Sequence, residues 1–375
     1  MTEQDWREQV RGLLESAESL EPGEHKVMTL EEAARLADAH GDIVRGFDIR
    51  DALIDAATFG GFPDKALVAF AWCRSQQQRD PVRLGNSMLW KQKWVVGRLT
   101  DFPHIGRAHI ERAIDDFEQC CEKEGRGRRS VSKLRYKAAR DMGDTSRTEA
   151  LWTRWLETPR DTLTDCRACE LHDELDHPLD QGDHARAMER AKALLEGRVS
   201  CAEVPHLTLG RVLYALFTLG RLEQARASHL QGYSLVRNNR EFLGTVGEHL
   251  EFLALTGNVD PGLRLLERHV GWALTHASHR YRFTFHTAAL ALLDQVLAGG
   301  RERVALALPR ALPLEATDGT YDTRALRGWF EAQAEGIART FDARNGTERY
   351  RQLLARARRL RDEVRPFPIE GPASD

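Results

Sequence analysis

Cys166-Arg-Ala-Cys169, followed by Cys201-Ala-Glu-Val-Pro-His206, gathers four soft donors within a short stretch of the chain. Two residues separate the first pair, 31 lie between Cys169 and Cys201, and four lie between Cys201 and His206. In ligand type and number this fits a tetrahedral Cys₃His zinc site, structural because four protein ligands leave no open coordination position. Two other readings stay open. The cysteines can be small buried apolar side chains, with the histidine at a helix start set by Pro205, or the C-x-x-C pair can carry redox chemistry, although no βαβ pattern surrounds it.

Other chemistry is hard to find. The sequence holds no G-x-x-x-x-G-K-[ST], no G-x-G-x-x-G after a strand, no H-E-x-x-H and no G-x-S-x-G, so the chain is not expected to be an enzyme. His276, His279 and His286 cluster near one helix start, but no carboxylate or cysteine stands at ligand spacing beside them, and they read as surface or packing residues. The basic run from Lys123 to Arg140 could meet phosphates or an acidic partner, yet it reads better as a loop and a solvated helix face. The run from Arg356 to Arg365 has the same standing.

The elements that would position the cysteines announce themselves by a recurring stop. At Gly60-Gly61-Phe62-Pro63, Asp101-Phe102-Pro103, Gly143-Asp144, Gly182-Asp183, Gly220-Arg221 and Gly257-Asn258, one apolar-periodic stretch ends and another begins. Markers at 61, 103, 143, 182, 220 and 257 are spaced by 42, 40, 39, 38 and 37, a nearly fixed period that points to repeated helical hairpins. Five residues after most markers stands a small residue, Ala66, Ala108, Ala187, Ala225 or Gly262, as close packing of antiparallel helices requires. After Gly143 the next alanine is Ala150, which predicts a longer turn there.

This turn-plus-small-residue pattern resembles the tetratricopeptide repeat over about 60–280, with units longer than the roughly 34 residues of that repeat. The segments around Cys166, Cys201 and Glu248-His249 resemble a little-described group of bacterial tetratricopeptide-like proteins, which brings no assigned activity with it. The resemblance implies an all-α fold, a right-handed α-solenoid of stacked antiparallel hairpins forming one continuous superhelix. Successive hairpin junctions then lie side by side, so that Cys166, Cys169, Cys201 and His206 would converge and a zinc there would staple neighbouring units. In tetratricopeptide register Trp90, Lys93, Lys133, Lys137, His172, Asp176, Tyr214 and Glu251 fall on the concave face, where such proteins take peptides. The alternative for Trp90 and its lysines is packing between hairpins and plain solvation.

Around this array, residues 1–59 read as an N-terminal helical cap and 60–280 as the hairpins. Residues 281–365 read as C-terminal hairpins and cap, with an irregular stretch at 300–320 before helices at about 322–342 and 347–363, and 366–375 as a disordered tail. The 54 Lys and Arg nearly balance the 57 Asp and Glu, leaving a formal charge of −3 that favours neither nucleic acid nor membrane surface as a partner. The start MTEQDWREQV lacks the cationic and apolar regions of a secretory signal, so a cytoplasmic protein with its six cysteines reduced is expected. The expected function is a scaffold that binds a protein or peptide. A peptide-sensing regulator is the first alternative, and a zinc or thiol enzyme the weaker one.

Overall fold

Glycine ends a helix cheaply because it alone enters the left-handed region without a side-chain clash, and the chain can then fold back on the helix's last free carbonyl. The computed structural model describes residues 3–84 and 88–369 and repeats this device. Gly41, Gly61, Gly143, Gly182, Gly220 and Gly257 all have φ between 66° and 84°. Each is followed by a residue whose N–H reaches the carbonyl five positions back: Asp42 to Ala37, Phe62 to Ala57, Asp144 to Ala139, Asp183 to Pro178, Arg221 to Leu216 and Asn258 to Leu253, all at 2.8–3.0 Å. The turn at Gly41 lies inside the stretch read from sequence as a cap.

The fold is all-α, and the chain divides into two units. The first comprises residues 1–138, 153–163 and 239–241, the second 139–152, 164–238 and 242–375. Eight helices open the chain: α1 (Glu3–Ser19), α2 (Glu24–Ala39), α3 (Ile43–Phe59), α4 (Pro63–Arg79), α5 (Leu89–Arg98), α6 (Arg107–Lys123), α7 (Arg128–Asp141) and α8 (Thr145–Glu157). Within the first unit α1 to α6 pack successively, each against the next. Trp6, Val27, Phe47, Ile54, Ala66 and Cys73 anchor the core among α1 to α4. The small segment 239–241 belongs here because Asn239 donates to the Phe59 carbonyl at 3.2 Å and Glu241 meets Arg98 at 2.9 Å. Gly61 also needs its missing side chain, since a Cβ would stand 2.8 Å from the Glu241 backbone nitrogen.

The second unit continues with α9 (Arg167–Asp173), α10 (Asp176–Asp180), α11 (His184–Leu195), α12 (His206–Arg211), α13 (Leu213–Thr218), α14 (Leu222–Val236), α15 (Leu243–Leu255), α16 (Val259–Thr275) and α17 (His279–Ala298). A short antiparallel pair follows, β1 (Arg303–Ala305) with β2 (Thr320–Asp322), in which Val304 faces Tyr321. The helices α18 (Thr323–Asn345) and α19 (Arg349–Arg359) complete it. The middle of α17 is buried on every side from Phe285 through Leu293, against α15 and α18, and apart from His286 and Thr287 its side chains there are apolar. Among the described residues no helix is long and apolar enough to cross a membrane.

Three details depart from the sequence reading. The stop at Asp101 is a 3₁₀ turn over Leu99–Asp101, and α6 begins only at Arg107, so Ala108 is exposed and Ile110 fills the interior instead. The turn at Gly143 is not lengthened: Thr148 takes the fifth position and folds its hydroxyl back onto the Asp144 carbonyl at 2.7 Å. Residues 366–369 of the expected tail are tied down. Arg365 and Phe367 donate backbone N–H groups to the Leu255 and Thr256 carbonyls at 2.9 and 3.0 Å, and Asn258 holds Phe367 and Ile369. No backbone N–H of α15 reaches those carbonyls, and the tail supplies one to each, beside the Asn258 amide that donates to Thr256 at 3.0 Å. The rest of the expected tail, 370–375, lies outside the described residues.

Candidate metal centre

Cys166 caps the N-terminus of α9, with its Sγ accepting from the Cys169 N–H at 3.4 Å and its carbonyl accepting from the Glu170 N–H at 3.1 Å. One helical turn brings Cys169 under it. Cys201 arrives from the loop after α11, where its N–H donates to the Val204 carbonyl at 2.8 Å and closes a tight turn. The three sulfurs lie within 4.8 Å of one another, and those of Cys169 and Cys201 are 3.4 Å apart. Thiolates about 2.3 Å from a tetrahedral ion stand roughly 3.8 Å from each other, so the cluster has the size that one metal ion requires. All six cysteines of the chain are free thiols. Three nearby cysteines, 166, 169 and 201, could therefore hold a metal.

The surroundings are one-sided. Ala168, Leu171, Leu194 and Val204 form a buried apolar floor on which Cys169 and Cys201 pack, while Cys166 is exposed. Burial raises the Cys166 thiol, but the Cys169 N–H and the neighbouring thiols outweigh it and hold the group below its ordinary value. Burial, followed by the sulfurs of Cys201 and Cys166, pushes Cys169 well above it. Neighbouring sulfurs thus share one negative charge more easily than two or three, and a cation would release the remaining protons.

The fourth expected ligand is not with them. His206 opens α12 with its ring stacked on Phe242, centroids 5.8 Å apart and 11° from parallel. The tight turn from Cys201 to Val204 and the helix start immediately after it direct the imidazole to that ring, leaving Nδ1 buried without a hydrogen-bond partner.

The residues read from sequence as partner-binding fall into two sets. In the first unit Lys93 is buried, donates to the Leu163 carbonyl at 2.8 Å and stands 3.4 Å from the Trp90 ring centroid. Lys133, also buried, lies 5.7 Å from the Trp155 ring, and Lys137 is half-buried. In the second unit His172 meets the Thr208 hydroxyl at 3.0 Å, and Asp176 pairs with Arg211 and Arg140, both at 2.8 Å. Tyr214 donates to Glu363 at 3.0 Å under the Arg356 guanidinium, 4.1 Å above its ring, and Arg356 also grips Glu251 at 2.8 and 3.2 Å. Helix α19 thus already covers Tyr214 and Glu251. Nor is the basic run a solvated face: Arg129 donates to the Trp155 and Leu156 carbonyls, and Arg135 pairs with Asp115 and Glu118.

One grouping escaped the sequence reading. His229, His249 and His269 converge with Tyr233: the Nδ1 atoms of His229 and His249 are 3.1 Å apart, and Tyr233 Oη is 3.0 Å from His269 Nε2. Their even spacing of 20, half the hairpin period, was the available signal, since it places equivalent positions on successive helices. A cleft of about 920 Å³ lies elsewhere, between α1 and α3, lined by Arg7, Arg11, Arg45 and Asp48 among others. No protein-family model matches the chain, and no curated protein or solved structure matches it either.

Proposed function

We propose that this chain is a non-catalytic, tetratricopeptide-like scaffold, its hairpins stacked as a right-handed solenoid that presents a surface to a protein or peptide. In this reading a structural zinc on Cys166, Cys169 and Cys201 fastens the start of α9 to the loop that follows α11. The observation that carries it is the three-sulfur cluster, which joins positions more than thirty residues apart, at the start of α9 and in the loop after α11. The repeated glycine turn supports the hairpin part. Zinc suits such a site because it prefers thiolates, has no redox chemistry of its own and adds folding energy where short helices have little.

Metal analysis of the purified protein tests the staple. One zinc per chain is expected, lost on replacing any of Cys166, Cys169 or Cys201 by serine together with a clear drop in Tm, whereas His206→Ala keeps the metal. A wild-type protein purified without metal, and unable to take up added zinc, refutes it. For the scaffold, affinity capture from the native host followed by titration of the purified partner should give a saturable complex weakened by Lys137→Glu or His172→Ala. A captured set containing no saturable binder counts against the reading.

A second reading, a regulator that senses a peptide, draws on one contact. Helix α19 lays Arg356 on Glu251 and Tyr214, as a cationic ligand would. If α19 guards that face, Arg356→Ala tightens peptide binding relative to wild type; unchanged affinity speaks for the plain scaffold.

A further inference from the structure

We infer that a metal ion on Cys166, Cys169 and Cys201 keeps its fourth coordination position toward solvent and fills it with a small-molecule thiolate. The inference rests on the metal reading above and changes its character, from a closed staple to a site that exchanges a ligand.

Zinc is satisfied by four donors, and the cluster supplies three. Among the described residues no further histidine, cysteine or carboxylate joins the three sulfurs within the distance one ion can span. His206, whose position in the chain suggested it as the fourth, is engaged face to face with Phe242. Nor can a donor rise from beneath. The floor is made of Ala168, Leu171, Leu194 and Val204, none of which carries a side-chain ligand atom, and Cys169 and Cys201 rest on it.

The remaining direction is the one in which Cys166 stands exposed, so a fourth ligand would reach an ion held there from solvent. Water can occupy the fourth position, but an ion already bound by soft sulfur accepts a further thiolate more firmly than a hard oxygen donor. Binding here forms one metal–sulfur bond, displaces the water and releases the thiol proton to solvent, with no change in oxidation state.

Cobalt(II) replacing zinc in the full-length protein reports coordination through its visible absorption, and the sulfur-to-cobalt charge-transfer band counts thiolates. Titration with 2-mercaptoethanol should raise that band saturably by roughly a third, as the bound thiolates go from three to four. Imidazole should shift the visible bands without raising the charge-transfer band, and Cys169→Ser should abolish the thiol response. If cobalt binds but 2-mercaptoethanol and imidazole leave the spectrum unchanged, the site is closed by the protein and the inference falls, while the metal reading stands. A spectrum altered by His206→Ala identifies that closing ligand and overturns the inference in the same way. Failure of the protein to take up either cobalt or zinc overturns both.

Discussion

Four histidines sit in the interior of the second unit with nothing to offset a proton. Burial holds His229 down to about 4 and both His269 and His286 to about 3, with Arg268 and Arg282 adding to the effect on the last two, and it holds His249 well below its ordinary value, with His229 alongside. Unfolded, each titrates near 6.5. Folded-state values below the unfolded one mean that stability is intact above pH 6.5 and is lost as pH falls toward 4, because the unfolded chain binds the protons. The slope is up to about 1.4 kcal/mol per pH unit for each histidine. Urea midpoints should therefore fall between pH 7.5 and 5, and a flat profile would show that protons reach these rings in the folded state. His286 gives the sharper test. Both its ring nitrogens are buried without hydrogen bonds, between Trp329 and Phe330, so His286→Leu should cost little at pH 7.5 and should stabilise by about 1–2 kcal/mol at pH 5. The cysteine cluster was legible from residue type and spacing. His206 was not, because its fate depends on a tight turn and on Phe242, 36 positions further along.

At the level of helices, the hairpin turns were the most legible feature, since one residue type with one conformational licence sets them. The pattern failed where another device ended the helix, as at Asp101, and where a single hydroxyl could substitute for a small residue, as at Thr148. Strands β1 and β2, three residues each, are too short to show a period of two. Glycines inside helices separate packing from propensity. A Cβ at Gly262 would lie 2.5 Å from Leu292 Cδ1, so Gly262→Ala should destabilise by about 1–3 kcal/mol despite the better helix former. At Gly336, within α18, a Cβ meets nothing within 4 Å, and Gly336→Ala should stabilise by about 0.5–1 kcal/mol. Equal effects of the two changes, measured by chemical denaturation, would remove close helix contact as the reason for the small residue at that offset.

Across the whole molecule, the chain divides into two units, with one hydrophobic cluster among α1 to α4 in the first and another that includes α15 and α17 in the second. Strand-like or helical periodicity says which face of an element is apolar, but not which neighbour covers it, so that division was out of reach. The buried neutral histidines and the cysteine cluster all belong to the second unit. Calorimetry should accordingly resolve more than one transition, with acid and metal chelation lowering the same one and sparing the other. A single transition shifted by both treatments would mean that the units unfold together.

The clasp formed by Arg365, Phe367 and Ile369 on the end of α15 has a consequence in time. Asn258 leaves the ribosome 109 residues before Phe367, the residue it will hold. Until then the Leu255 carbonyl lacks the Arg365 N–H and Asn258 lacks its bonds to Phe367 and Ile369, so the turn into α16 rests on its own bond from the Asn258 N–H to Leu253. A released chain that ends before residue 360 should be cut by protease between α15 and α16 faster than the full chain, and equal rates would show that the clasp does not protect this turn.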